Sequence, residues 1–439
     1  MKKFLIYGLF VVNLAIIFWF WWQYSGAFFK EGDSGILIAL GRIFALLAVY
    51  FVLMQFVLMG RSVWVEQIFG LNNLARVHHL NGVFVIFFII FHPVFITAGY
   101  AMSNRVGFIS QLGSLILNTS NIFYAFLALI LFVTVVFFSI YIVRKKLKYE
   151  TWYYVHLTTY VAVVLAWGHQ LKLGGDFISN QTFVYYWYIL YLAVFGNLIF
   201  WRFLRPLFRF YQHRFFVKRV EKETDSAVSM YIAGKDMEKF QIAPGQFMIF
   251  RFLSKDYFWQ AHPFSLSYAP KNNELRITVK NSGDFTSQIK NLAVGTPVFI
   301  DGPYGTFIER LAKRDKFLFI AAGVGITPIR SLIESIAKNK DSILIYGNKT
   351  EKDTIFKSEL DKLSSEHNFP IHYVMSEDKN FKGEQGRINI ELVKKLVSDF
   401  KNREIYICGP AQMMISLRKD FQKAGVRNAN IHCELFSFK

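Results

Sequence analysis

Two cysteines in 439 residues, Cys408 and Cys433, exclude a disulfide framework, and no Cys-x-x-Cys spacing offers a structural zinc site. No Asp-x-Asp-x-Asp-Gly loop is present, which argues against calcium control by an EF-hand. A secretory leader is not expected, because the first apolar run is one of six and no small-residue cleavage site follows it. Charged side chains are sparse before about residue 210 and frequent after it. The front half therefore reads as membrane and the back half as soluble globular protein.

What the front half does have is length of apolar run. A bilayer core takes about 20 apolar residues per helix. Six stretches fit, roughly 4–24, 36–59, 77–100, 121–143, 152–170 and 183–204. The fifth is the weakest, interrupted by His156, Thr158, Thr159 and His169. The net charge of +19 invites a nucleic-acid reading, but its placement opposes it. Lys2, Lys3, Arg61, Arg76, Arg144, Lys145, Lys146, Lys148, Arg202, Arg205, Arg209 and Arg214 gather at alternate ends of the runs. That positive-inside pattern predicts an integral membrane protein with both termini in the cytoplasm and no nucleic-acid partner. Asn118-Thr119-Ser120 and Asn180-Gln181-Thr182 are sequon matches in outside loops, relevant only in a eukaryotic secretory pathway.

Polar side chains inside such runs are expensive and mark function. The third run, "ARVHHLNGVFVIFFIIFHPVFITAGY", carries His78, His79 and His92, and the fifth carries His156 and His169. His78 and His92 stand 14 residues apart, about 21 Å of helical rise, and return to within roughly 40° of one face. His79 and His92 differ by roughly 140°, so the phase favours His78. The 13-residue pair in the fifth run does not align on an ideal helix and calls for a bend or π-bulge there. With both helices running outward, His78 pairs with His156 near the cytoplasmic side, and His92 with His169 near the outer side. Two bis-His haems fit this pattern. A zinc or copper transport site fits less well, because ligands of one ion sit within a turn or two. Helix-end histidines facing water or headgroups are the bland alternative.

The residues "RVHHLNG", "FHP", "WYYVH" and "WGHQL" resemble the transmembrane ferric reductase and NADPH oxidase superfamily, closest to a compact prokaryotic-type NADPH oxidase. The resemblance implies two b-type haems held by His78, His92, His156 and His169. Arg42, in "ALGRIFALL", lies roughly 9 Å inside the outer face by helical rise. The resemblance places it beside a haem propionate or the outer substrate site, and snorkelling to the interface is the alternative.

The back half changes character twice. Residues 213–308 alternate short β-rich runs with turns and predict a small antiparallel barrel. "PGQF", "HPFSLS", "SGDFTSQI" and "DGPYG", in that order, resemble the FAD-binding barrel of ferredoxin-reductase-like flavoproteins. His262, Pro263, Phe264, Ser265 and Ser267 make up "HPFSLS". Phe264 and Ser265 are expected against the isoalloxazine ring and His262 against the flavin diphosphate. Gly283, Thr286 and Ser287 are expected to present phosphate-binding groups at a helix start. From about Arg314, strands alternate with helices, which predicts a parallel α/β sheet. "GVGITP" follows a strand and supplies Gly323, Gly325, Thr327 and Pro328 for a nucleotide diphosphate, although Pro328 stands where a third glycine is usual. "CGP" then supplies Cys408, Gly409 and Pro410. The resemblance sets Cys408 and Glu434 beside the nicotinamide, Phe436 (or Phe438) over the flavin, and Lys349 at a 2′-phosphate.

The expected architecture is a multi-domain membrane protein: a six-helix haem bundle over 1–207, an FAD barrel over 208–312 and an NAD(P)H-binding α/β domain over 313–439. NADPH or NADH gives electrons in pairs, haem takes them singly, and FAD, able to do both, belongs between them. The expected product is superoxide from O2 outside, with a ferric or other metal-chelate reductase as the alternative. The outer loops hold no acidic or His-rich cluster for a chelate, which leans towards O2. A haem-containing sensor or proton channel is opposed by the intact "HPFSLS", "GVGITP" and "CGP".

Overall fold

The computed structural model describes residues 2–140, 143, 146–147, 149–173, 175–178, 180–269 and 274–434. The chain divides into two compact units, one comprising Met1–Ser62 and Asn73–Ile199, the other Val63–Asn72 and Phe200–Lys439. The division near residue 200 follows the shift in composition. The grouping of 63–72 with the second unit has no sign in the sequence.

The first unit is helical. Its long helices are α1 (Lys2–Ser25), α2 (Gly32–Met59), α4 (Leu71–Asn104), α6 (Ile122–Ser139), α7 (Tyr149–Leu173) and α8 (Gln181–Ile199), with the shorter α5 (Phe108–Asn118); the short α3 (Val63–Phe69), between α2 and α4 in sequence, belongs to the second unit. α2 is the innermost. Its Ala39, Ile43, Tyr50 and Leu53 pack with Phe183, Trp187 and Tyr191 of α8. Two glycines let α2 and α4 approach. A β-carbon on Gly41 would stand 2.7 Å from Ile96 Cγ1, and one on Gly99 would stand 2.6 Å from Ile38 Cγ1.

Among the described residues, five helical stretches are long and apolar enough to cross a membrane, not six. The stretch left out is α7, which is nonetheless helical over 25 residues. Hydropathy counts its hydroxyls as polar, yet Thr158 Oγ1 donates to Val155 O at 2.7 Å and Thr159 Oγ1 to His156 O at 2.8 Å. Those hydroxyls are satisfied within the helix, which lowers the cost of burying them. No π-bulge of the kind expected interrupts α7. Helix runs unbroken there, and a π-type turn occurs instead at Phe200–Leu204.

The second unit holds two lobes. In the first, six antiparallel strands form two sheets, ordered β1-β2-β5 and β4-β3-β6. Their ranges are β1 Phe216–Thr224, β2 Ala227–Ala233, β3 Phe247–Phe252, β4 His262–Ser265, β5 Glu274–Lys280 and β6 Val298–Tyr304. Single bridges, Phe216 with Pro297 and Leu266 with Ile277, join the sheets at two corners around one apolar core. In the second lobe, β7 (Lys316–Ala322), β8 (Asp341–Asn348), β9 (Ile371–Met375), β10 (Glu384–Gln385), β11 (Glu404–Cys408) and β12 (Ile431–Cys433) make one sheet, ordered β10-β9-β8-β7-β11-β12. Every pairing is parallel. The order reverses between β7 and β11, and such a switch point opens a ligand crevice at the carboxyl ends of the strands.

A buried ion network ties the lobes. Arg276 of β5 donates to both Glu359 oxygens at 2.7 and 2.9 Å, and Arg330 Nε donates to the same carboxylate at 2.9 Å. Glu334 in turn accepts from the Ala269 amide at 2.8 Å. Glu359→Ala leaves Arg276, with 4% of its side chain exposed, without its carboxylate. Loss of about 2–3 kcal/mol is expected, below the usual range for a fully buried pair because a third of Glu359 meets water. A urea titration followed by flavin fluorescence measures it.

Candidate functional site

The two histidine-bearing helices bring their four imidazoles together in pairs. His78 faces His156 with ring centroids 5.9 Å apart, and His92 faces His169 at 6.1 Å. His79 is exposed. Because each imidazole meets its own partner, the 13-residue spacing in α7 needs no shared face. Pro93, just after His92, removes one amide from the α4 ladder. The buried Nδ1 atoms of His78, His156 and His169 have no hydrogen-bond partner. His92 differs, for its Nδ1 lies 2.9 Å from the Gly41 carbonyl. Donation to that carbonyl leaves Nε2 as the free lone pair, the usual outer support of a ligating imidazole.

These pairs fit an iron with two axial imidazoles. A first-row metal at about 2 Å from each nitrogen separates the ring centres by roughly 6 Å. Among the described residues no group of three or more His, Cys, Asp and Glu side chains converges, which is the set a bare zinc or copper ion would need.

Arg42 has a protein partner that the sequence did not indicate. Its guanidinium lies 3.9 Å from the Asp176 carboxylate and 4.5 Å above the Phe28 ring. Asp176 also accepts from Ser25 Oγ at 2.7 Å. Asp176 and Ser25 are buried, while the Arg42 side chain is 22% exposed.

In the barrel lobe, β4 pairs with β3 so that Phe264 stands opposite Met248 and Ser265 opposite Phe247. Strand alternation therefore separates Phe264 from Ser265, which were expected on one ring. Phe264 shares its face with His262, and the His262 ring stacks on Phe285 at 3.9 Å between centroids. His262 Nε2 lies 3.2 Å from Gln260 Oε1. Pro263 and Ser265 take the other face. Ser267 is fully buried and its Oγ accepts from Arg276 Nε at 3.2 Å and Thr278 Oγ1 at 2.8 Å, so its hydroxyl serves the barrel interior. Thr286 Oγ1 donates to Gly283 O and Ser287 Oγ to Asp284 O, at 3.1 and 2.8 Å. Both hydroxyls turn to their own backbone.

The nucleotide loop sits at the switch point. Gly323 has φ +53 and nothing within 4 Å of where a β-carbon would point, an open backbone suited to a diphosphate. Gly325 is the opposite case, its β-carbon position 2.4 Å from the Cys408 carbonyl oxygen. Thr327 Oγ1 donates to Val324 O at 3.1 Å, and Pro328 is buried in the first turn of the helix Ile326–Ile336. Cys408 ends β11 and is 1% exposed; burial pushes its thiol well up. Gly409 and Pro410 follow it into the next helix. Asn348 Nδ2, at the end of β8, is buried without a partner, as a site open to a polar ligand requires. Lys349 pairs with Glu377 at 3.0 Å on the surface. Phe436 and Phe438 lie outside the described residues. Glu434, just before them, is buried, with Oε2 unpartnered.

Comparison with known proteins now adds three family matches. Residues 44–167 match the ferric reductase like transmembrane component, residues 212–307 an FAD-binding domain, and residues 319–419 the oxidoreductase NAD-binding domain. The class is thus an integral membrane oxidoreductase with an FAD-binding and an NAD-binding domain. More narrowly, the three matches, in this order along the chain, indicate the architecture of the ferric reductase/NADPH oxidase family. Among curated relatives, NADH-cytochrome b5 reductase 1 of Scheffersomyces stipitis is 36% identical over 33% of this chain and 54% of its own. The ferredoxin reductase component of 3-ketosteroid-9-alpha-monooxygenase from Rhodococcus rhodochrous is 28% identical over 50% of this chain and 64% of its own. The chain thus spans between half and two thirds of the length of these relatives. A solved FAD/NAD-binding domain of nitric oxide dioxygenase from Vibrio cholerae is 23% identical, covering 51% of this chain and 98% of that one, with a TM-score of 0.46.

Proposed function

We propose that the chain moves electrons from cytosolic NADPH or NADH, through FAD and two b-type haems, to O2 on the outer side, yielding superoxide. The observation that carries this reading is the pairing of His78 with His156 and of His92 with His169, at 5.9 and 6.1 Å. When bound, the flavin supplies the exchange between paired and single electrons, and the haems supply single-electron carriage. The chain's own residues do the rest. Gly323 and the start of the helix Ile326–Ile336 receive the nucleotide diphosphate. Cys408, Glu434 and Ser265 would flank the reacting rings. The four histidines hold the irons, and the Gly41 carbonyl orients His92. Arg42, neutralised by Asp176, marks the outer end. Basic residues at alternate helix ends set the orientation with both termini inside.

The name of the matched membrane component favours a second reading, an extracytoplasmic ferric or metal-chelate reductase on the same path. Purified protein reduced with dithionite is expected to show bis-His b-type haem. Cytochrome c reduction by the NADPH- or NADH-driven protein is expected to be sensitive to superoxide dismutase and to exceed Fe(III)-chelate reduction. A cytochrome c signal indifferent to dismutase sinks the superoxide proposal, and absence of haem sinks the whole path.

A further inference from the structure

Glu66 belongs to no recognised motif, yet α3 delivers it to the interior of the second unit. It is 1% exposed and accepts from the Gly305 amide at 2.8 Å. Its Oε2 has no partner. Glu434 approaches the same glycine. A β-carbon on Gly305 would stand 2.9 Å from Glu434 Oε1 and 3.0 Å from Oε2. Glu434 is 6% exposed, and its Oε2 is likewise unpartnered. Gly305, at φ +105, is the spacer that a side chain would not fit.

The location gives the pair a use. Glu434 follows β12, which pairs with β11 ending at Cys408, so it stands at the carboxyl ends of the strands by the switch point. Gly305 follows Tyr304, which stands opposite Phe247, itself opposite Ser265. The nucleotide end and the barrel face thus meet at these two carboxyls.

We propose that Glu66 and Glu434 hold one proton between them and accept the proton released by NAD(P)H oxidation, with Glu66 positioning Glu434. The role, though not the geometry, rests on the electron path proposed above. Oxidation of one NAD(P)H breaks its nicotinamide C–H bond and yields NAD(P)+, two electrons and one proton. The electrons leave singly toward the outer acceptor. The proton stays behind and forms an O–H bond on the ionised member of the pair, which later returns it to water.

The electrostatics agree. Two buried carboxyls with orphaned oxygens resist double ionisation. Burial pushes the Glu66 carboxyl up to about 7, against the opposing pull of the Gly305 and Leu71 amides. Burial, then the Glu66 charge, pushes Glu434 well above the carboxylate range. Cys408 is the other titratable group coupled to Glu434, and burial with that carboxylate keeps it a thiol.

The test uses the full chain loaded with FAD and haem, in infrared difference spectroscopy on reduction by NADPH, read beside the pH profile of flavin reoxidation. Wild type is expected to gain protonated-carboxyl absorbance and to show a midpoint near 7. Glu66→Gln removes both signals, and Glu66→Asp restores them in part. A Glu66→Gln protein that keeps FAD and haem spectra, the carboxyl band and the profile overturns the proposal. If Glu66→Gln loses FAD, Glu66→Asp carries the test: an unshifted midpoint there overturns it. Failure of the electron path is read separately, as missing haem in wild type.

Discussion

His78→Ala and His156→Ala are each expected to remove the same one of two haems, and His92→Ala and His169→Ala the other, while His79→Ala keeps both. The rings that face one another come from different helices, so on the proposed reading either partner's loss would leave an iron held by a single histidine. Outward electron flow should fall on the order of 100-fold or more, given that even outer supports of a metal cost 10–100-fold. Flavin reduction by NADPH should be unaffected, because the histidines belong to the first unit and the nucleotide loop to the second. Reduced-minus-oxidised spectra of each variant check this. The result that contradicts the pairing is a His79→Ala protein missing a haem, or a His78→Ala protein with two.

Periodicity made much of this visible. One hundred degrees per residue separates His78 from His79 before any coordinate is known, and the structure places His79 outward. The same arithmetic misled in α7, because it demands one shared face where each ring needs only its own partner. Hydropathy counted polar atoms without seeing Thr158 and Thr159 donate to their own helix. Strand and helix alternation announced a parallel sheet, but its order, with β7 between β8 and β11, comes from pairings between residues far apart in sequence. Partners at long range were the least legible. Asp176 meets Arg42 from another helix, and Glu66 meets Gly305 across 239 positions. No local pattern marks a lone acid in a seven-residue helix.

Gly325→Ala is expected to disable nucleotide use while sparing the rest. Gly325 sits where β7 turns into the helix Ile326–Ile336, and its missing side chain lets the backbone lie against the end of β11. A β-carbon there would fall 2.4 Å from the Cys408 carbonyl oxygen, 2.5 Å from its carbon and 2.7 Å from the Gly409 nitrogen. Those atoms are backbone in a parallel ladder and have no rotamer by which to yield. The methyl must part the loop from β11, an overpacking cost of about 1–3 kcal/mol or more. The parting falls on the crevice itself, moving Cys408 and Gly409 relative to the open Gly323. A misplacement of about 1 Å commonly costs 100-fold in rate. Flavin bleaching by NADPH in a stopped-flow instrument should therefore slow by roughly that factor, while dithionite still reduces flavin and haem at the wild-type rate. Gly323→Ala, with nothing within 4 Å of its β-carbon, meets no such clash with the protein and adds the strain of φ +53 and a methyl on the face proposed for the diphosphate. Its rate should lie between wild type and Gly325→Ala, and the reverse order would contradict the close approach at Cys408 as the cause.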